Sequence, residues 1–280
     1  MDIRLMNETE YGLSKKLWLE CFPEDGEYFV EHYYSTRSKP EYVLGAFEIG
    51  EAAPVSMMHI IPVMMRFNGI ARRIALVAGV CTCPDKRGRG LCTSLFDKAF
   101  DIMSERGFDA TVLQPFDPAF YERFGYKTFI WRKKVAVSAD KLTNIGQTYE
   151  NISPDPAALA RLYSDAMRDH DGCTIRDEAY FSSFIGEYSA SDAVLYVTEN
   201  GCCAGYADGN RLAVTELFYR RGIDPVLLLP AGFDEYVYPV SVLCGSPPGS
   251  GTAIEPFSMI KTLKNDIVID PCRCFGFDRY

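Results

Sequence analysis

Val77-Ala-Gly-Val-Cys-Thr-Cys-Pro-Asp-Lys-Arg-Gly-Arg-Gly-Leu-Cys92 passes from a strand pattern through a turn crowded with Gly and Arg into a helix pattern. Residues 70–82 read as a strand, which Pro84 and Asp85 end. Residues 88–106 read as a helix with Leu91, Leu95, Phe96, Ala99, Phe100 and Met103 on one face, stopped by Gly107. Gly88 and Gly90 let the backbone approach a ligand closely, and the first-turn amides of the helix point outward at the positive end of its dipole. Such a turn is an anion cradle suited to a pyrophosphate, and Lys86, Arg87 and Arg89 add charge for a further phosphate. It is neither G-x-G-x-x-G nor a Walker loop, because no Lys-Ser/Thr follows the second glycine. Taken alone it reads equally as an ordinary loop, since loops collect these residues.

Outward from this stretch, the first half alternates strands and helices. Residues 3–6 suggest a short strand, and Asn7 is placed to cap a helix over 9–21. Asp25 is placed to cap a second helix through Phe29, Val30, Tyr33 and Tyr34. Residues 41–49, 54–67 and 70–82 follow as strands, with Asn68-Gly69 a two-residue hairpin signal. Residues 110–113 form a short buried strand, Asp117 caps a brief helix that Gly125 ends, and 126–137 returns as a strand. In the second half, 157–167 and 177–188 read as helices. Residues 193–199 and 202–208 pair around Asn200-Gly201, and strands follow at 212–219 and 226–229. After a Gly- and Pro-rich stretch, 259–263 reads as a short helix. Helix, hairpin, strand repeats the order of the first half and suggests a degenerate copy of one unit.

A chain of 280 residues makes one large domain or two of ordinary size. Hydrophobic residues at 48% and charged residues at 24% exclude wholesale disorder, collagen and coiled coil. No apolar run approaches the roughly 18 residues of a membrane span, and the N-terminus lacks the basic-then-apolar pattern of an export signal. The expectation is a soluble cytoplasmic protein with no membrane partner. A formal charge of −9 repels phosphate backbones, which argues against nucleic acid and suits a cationic small substrate. The ten cysteines include no C-x-x-C pair, and His32, His59 and His170 lie far in sequence from the cysteine clusters at 81/83, 202/203 and 272/274. Reduced thiols serving as small hydrophobes, and no metal, are expected.

The second informative segment is Asp117-Pro-Ala-Phe-Tyr-Glu-Arg-Phe-Gly-Tyr126. With it the chain resembles the GCN5-related N-acetyltransferase (GNAT) superfamily, whose signature is a strand, a (Q/R)xxGx(G/A) turn and a helix, followed later by FYxxxGF/Y. The match is Arg87-Gly-Arg-Gly90-Leu-Cys92 and then Phe120-Tyr121-Glu-Arg-Phe-Gly125-Tyr126, with Cys92 where the family has Gly or Ala. The two motifs look most like the Eis-type branch, in which a catalytic acetyltransferase unit is followed by a degenerate second one and a further C-terminal region, three regions for which this chain is too short at full size. The resemblance is specific over 77–128, fair over 1–137 and weak over 138–280.

The resemblance implies an α/β fold: a mixed, mostly antiparallel sheet flanked by helices, with a catalytic domain at 1–137 and a degenerate domain of the same kind at 138–280. It implies acetyl-coenzyme A as cosubstrate and a primary amine of a small molecule as acceptor. Backbone groups of Val80, Cys81 and Thr82 would hold the pantetheine arm and polarise the thioester, and the turn from Arg87 through Gly88, Arg89, Gly90 and Leu91 to Cys92 would hold the pyrophosphate. Tyr121 matches the general acid that protonates the departing thiolate. In Eis-type enzymes the terminal carboxylate is the base, here that of Tyr280; Glu20, Glu24 and Asp25 are the other carboxylates near the acceptor face. The second half lacks the turn, so it should bind no coenzyme and instead cover the acceptor site. Alternatives from other classes are a non-catalytic coenzyme A-binding regulator and an acyltransferase with a longer donor or an oxygen acceptor. An oligomer is compatible with all of them.

Overall fold

The computed structural model describes residues 1–143, 145, 149–188, 193–240, 251–264 and 266–276. The first half begins with β1 (Asp2–Leu5) and α1 (Glu8–Cys21). Asn7 caps α1 as expected: Glu10 N donates to Asn7 Oδ1 at 3.0 Å and Asn7 N donates to Glu10 Oε2 at 3.0 Å, a reciprocal capping box. Asp25 precedes α2 (Gly26–Thr36), but its side chain makes no cap bond. It accepts instead from Trp18 Nε1 at 2.7 Å, because the indole donor is turned toward it.

β2 (Val43–Phe47), β3 (Ser56–Phe67) and β4 (Ile70–Thr82) form an antiparallel meander. Asn68 and Gly69 both take positive φ (50° and 76°), the conformation a two-residue hairpin demands. α3 (Leu91–Glu105), β5 (Ala110–Leu113), α4 (Pro118–Glu122) and β6 (Lys127–Ser138) complete the half. Side chains alternate across the meander. Val43, Met57, Ile74 and Leu76 meet Trp18, Tyr33 and Tyr34 of α1 and α2. Leu44, Met58, Ala75 and Val77 meet Leu95, Phe96, Ala99 and Met103 of α3 on the opposite face.

The second half holds α5 (Pro156–Ala166), β7 (Cys173–Thr174), α6 (Glu178–Glu187), β8 (Ala193–Val197), β9 (Gly201–Asp208), β10 (Arg211–Tyr219), β11 (Glu235–Val240) and β12 (Gly251–Thr262). Two expectations need correction. Residues 226–229 are not a strand but part of a 3₁₀ turn, Pro225–Leu228, because Pro225 opens it and Asp224 Oδ1 accepts from Val226 N at 3.0 Å. Residues 259–263 are not a helix: Met259–Thr262 end β12, where β5 and β6 take up the backbone hydrogen bonds on both sides.

Among the described residues the strands join one twelve-stranded sheet in the order β1-β2-β3-β4-β5-β12-β6-β11-β10-β9-β8, with β7 beside β3. Among the described residues every pairing of these strands is antiparallel except β4–β5 and β10–β11. The order β2-β3-β4-β5 is therefore mirrored by β8-β9-β10-β11, each an antiparallel meander followed by a parallel neighbour. The strand after β5, which is β6, pairs with β11, while the strand after β11, which is β12, pairs with β5. Each half lends its last strand to the other.

Candidate active site

The site begins where β4 and β5 part. Their parallel pairing covers only Ile74–Val77 opposite Ala110–Leu113, so 78–82 continues without β5 beside it and a wedge opens. On the other edge of β4, Gly79 and Val80 together oppose Met58, a bulge in the ladder. Gly79 has φ +56°, and a Cβ there would lie 2.4 Å from the Trp18 ring. Only glycine satisfies both conditions.

Beyond the strand, Pro84–Lys86 makes a 3₁₀ turn, and Gly88 and Gly90 both take φ +75° with open space on the Cβ side. Gly90 is the N-cap of α3 and no side chain caps the helix, so its first amides are left for a ligand. Arg87 Nε donates to Thr82 O at 3.1 Å and Arg89 Nη2 to Asp85 O at 3.3 Å, which shapes the turn. Lys86, expected to meet phosphate, is tied to Glu48 Oε1 at 2.8 Å. Val80, Cys81, Thr82 and the six residues 87–92 all line one groove of about 650 Å³. The uncapped amides, the open glycines and the basic turn fit a pyrophosphate-bearing cosubstrate.

Tyr121 stands at the inner end of this groove. Asp117 Oδ1 accepts from Ala119 N at 3.0 Å and starts α4, while Gly125 (φ +85°) ends the turn after it. Edge-on contacts with Phe96, Phe116, Phe120 and Tyr126 hold the ring, which is 5% exposed. Burial pushes the Tyr121 phenol well above its usual range, so it is a protonated donor at neutral pH. Tyr126, the last residue of the motif, is structural: its hydroxyl shares a 3.0 Å hydrogen bond with Thr111 Oγ1 in the core.

Tyr121 also borders a cleft of about 240 Å³ with Trp18, Gly79, Val80, Leu113 and Gln114. Glu24, Asp25 and Gln114 line both this cleft and a chamber of about 830 Å³. The chamber lies between the halves: Tyr28, Phe29 and His32 come from α2, Tyr180, Phe184 and Glu187 from α6, and Phe257 from β12. Its acids are partly spoken for, Glu187 by Arg37 at 2.6 Å and Glu216 by Arg176 at 3.0 Å. Glu24 and Asp25 leave negative charge at the inner mouth. Glu20, grouped with them in the sequence, lies instead against Cys83 at 3.6 Å.

The Tyr280 carboxylate lies outside the described residues. The tail before it is docked. Cys274 and Phe275 are buried, Phe275 N donates to Asp171 O at 3.0 Å, and Gly276 O accepts from Arg132 Nη2 at 3.2 Å. Gly276 borders the same small cavity as Gln114 and Phe257, which also line the chamber. The sequence reading missed Cys21, Phe22, Phe116 and Arg123 in the groove, and the whole second-half wall of the chamber. Phe116 precedes the Asp117 cap and was within reach; the others had no local signal. Nine cysteines among the described residues are free thiols, and five of them are buried.

Residues 2–129 match the family described as acetyltransferase (GNAT) domain. The chain carries a GNAT acetyltransferase domain. It is an acyltransferase, and its fold is shared with solved structures at low sequence identity. A GCN5-related N-acetyltransferase from Anabaena variabilis superposes with TM-score 0.76 at 16% identity, covering 93% of this chain and 72% of that one. A probable N-acyltransferase from Enterococcus faecalis gives 0.75 at 15%, covering 94% and 73%. Eis1 from Mycobacterium abscessus gives 0.70 at 16%, covering 94% and 74%. No curated protein matches the sequence. No helix among the described residues is long and apolar enough to cross a membrane.

Proposed function

We propose that this acetyltransferase moves an acetyl group from acetyl-coenzyme A directly to a primary amine of a small cationic acceptor in the cytoplasm. One observation carries the reading: Tyr121 stands where the basic groove meets a cleft that opens into an acidic, aromatic chamber. Donor and acceptor can then approach from opposite sides. The amides of the turn at 87–92 hold the pyrophosphate, and the wedge edge of β4 from Val80 to Thr82 holds the pantetheine arm. The chamber's aromatic rings and the carboxylates of Glu24 and Asp25 attract the acceptor's ammonium.

The acceptor nitrogen attacks the thioester carbonyl, whose oxygen is polarised by backbone at the bulge. The adduct collapses, the carbon–sulfur bond breaks, and Tyr121 gives its proton to the thiolate. The nitrogen's proton goes to the Tyr280 terminal carboxylate; the docking of Phe275 and Gly276 beside the chamber supports this role. No cysteine nucleophile is needed. Cys83 and Cys92 are held as thiols, by acidic neighbours and by burial respectively, and direct transfer suffices. In this reading residues 1–137 are the catalytic unit and 138–280 a degenerate copy that walls the acceptor side.

The test is an acceptor screen with thiol-release detection on the full chain, followed by Tyr121→Phe. Turnover should fall on the order of a hundredfold with coenzyme A affinity retained. A variant with full turnover removes Tyr121 from the chemistry. Coenzyme A binding with no acceptor in a broad screen favours the regulator instead.

A further inference from the structure

The chamber between the halves distributes its charges unevenly. Five carboxylates line it among the described residues, those of Glu24, Asp25, Glu187, Glu216 and Glu255. Three of them are matched by cations. Glu187 meets Arg37 at 2.6 Å, Glu216 accepts from both terminal nitrogens of buried Arg176 at 3.0 and 3.1 Å, and Glu255 meets Lys134 at 3.7 Å. The other two stand at the mouth, where the chamber joins the cleft of Tyr121. Glu24 has no ion pair among the described residues, and the bond that Asp25 accepts comes from the neutral Trp18 indole at 2.7 Å. The mouth therefore suits one ammonium. A second ammonium farther in would give up water and find every carboxylate already engaged. What the walls offer beyond the mouth is aromatic. Tyr28 and His32 on α2 lie 15° from parallel, and Tyr180 and Phe184 on α6 lie 23° from parallel. Tyr28 is 67% exposed, so the fold leaves most of that ring uncovered beside the chamber. Walls of this kind gain from a flat apolar partner by burial and ring contact.

We propose that the acceptor is an arylalkylamine, a single primary ammonium at Glu24 and Asp25 joined by a short aliphatic linker to an aromatic ring lying in the chamber between α2 and α6. This deepens the acetyl-transfer reading of the site and rests on it. The ammonium loses one proton to become the nucleophile and a second as its nitrogen–carbon bond forms. The carbon–sulfur bond breaks, the thiolate takes up one proton, and one is released to solvent. The product amide is neutral, so the attraction that seated the amine at the two carboxylates ends with the transfer. A polycation gains at the mouth only what a monocation gains there, and pays for dehydrating its remaining charges.

The experiment follows thiol release by the full chain with acetyl-coenzyme A and four amines: tryptamine, hexylamine as a monocation without a ring, and spermidine and kanamycin as a flexible and a rigid polycation. Calorimetry measures the binding of each amine in parallel. Tryptamine should give a kcat/KM about tenfold or more above either polycation and about fivefold above hexylamine. Tyr28→Ala, made on an exposed side chain, should raise KM for tryptamine on the order of fivefold and leave coenzyme A affinity as it was. Faster turnover of spermidine or kanamycin would overturn the single-ammonium assignment. Equal kcat/KM for hexylamine and tryptamine, or an unmoved KM in Tyr28→Ala, would remove the aromatic ring from recognition. No binding of tryptamine, whatever else is turned over, would sink the whole class. Tryptamine bound with no thiol released would support the chamber's assignment and instead indict the acetyl-transfer reading.

Discussion

Trp18 Nε1 donates a 2.7 Å hydrogen bond to Asp25 Oδ2, while the same indole ring fills the space over Gly79 at the bulge of β4. One nearly buried side chain thus ties the acidic mouth of the chamber to the strand edge that faces the donor groove. Its two contacts can be tested separately.

Asp25 is half-buried, and burial raises its carboxyl above the usual aspartate value. A raised folded pKa means that the stabilising effect is complete below the unfolded pKa and is lost as pH rises through the folded one. At neutral pH the charge is a cost. Asp25→Asn keeps an oxygen for Trp18 and removes that charge. Denaturation at pH 7 should show a protein at least as stable, while KM for a cationic amine rises about tenfold, the loss of one charge-assisted contact. An unchanged KM would take Asp25 out of acceptor recognition.

Gly79→Ala meets two penalties. A positive φ costs a residue with Cβ about 1–3 kcal/mol, and the new methyl group overlaps the Trp18 ring. Urea denaturation should register at least the backbone part. Adding Trp18→Leu should recover the steric part alone, and full recovery would mean that the bulge tolerates alanine.

Arg176 is buried and bonds Glu216 through two nitrogens at 3.0 and 3.1 Å, with its guanidinium over the rings of Tyr163 and Tyr180. Arg176→Ala leaves a buried carboxylate in the chamber wall and should cost about 3–5 kcal/mol. Replacing Arg176 by Met and Glu216 by Leu together should cost much less. Equal losses in the single and double variants would show that the pair is not the source.

His59 is fully buried beneath Trp18, with Ser38 Oγ 2.9 Å from its Nδ1, and burial lowers its pKa to about 3. For a depressed histidine the unfolded chain takes up the proton first. Its contribution to stability is complete above about 6.5 and is lost as pH falls toward 3, by up to about 1.4 kcal/mol per pH unit. Denaturation midpoints should drop between pH 7 and 5 while the ring resonances of folded His59 stay neutral. A folded-state titration near 6.5 would contradict the burial argument.

Much of the donor side was legible because its signals are local. The Asn68-Gly69 hairpin, the Asn7 and Asp117 caps and the apolar face of α3 each depend on residues a few positions apart, so steric and hydrogen-bonding preferences specify them directly. The nine groove residues came with them, since one continuous strand–turn–helix carries all nine. Asp25 was misread for the opposite reason: its residue type and position suited a cap, but a tryptophan seven residues earlier offered a better donor.

By itself, then, the sequence determined the strand, the turn, the helix and the tyrosine after them, because backbone sterics and side-chain periodicity act over one turn or one pleat. Tertiary structure alone decided that Met259–Thr262 is strand, since β5 and β6, more than a hundred residues away, supply its hydrogen bonds. It alone decided that α2 and α6 face each other across a chamber, with Arg37 reaching Glu187. Pairings over such distances are settled only when the sheet assembles, because no short-range preference distinguishes one distant partner from another.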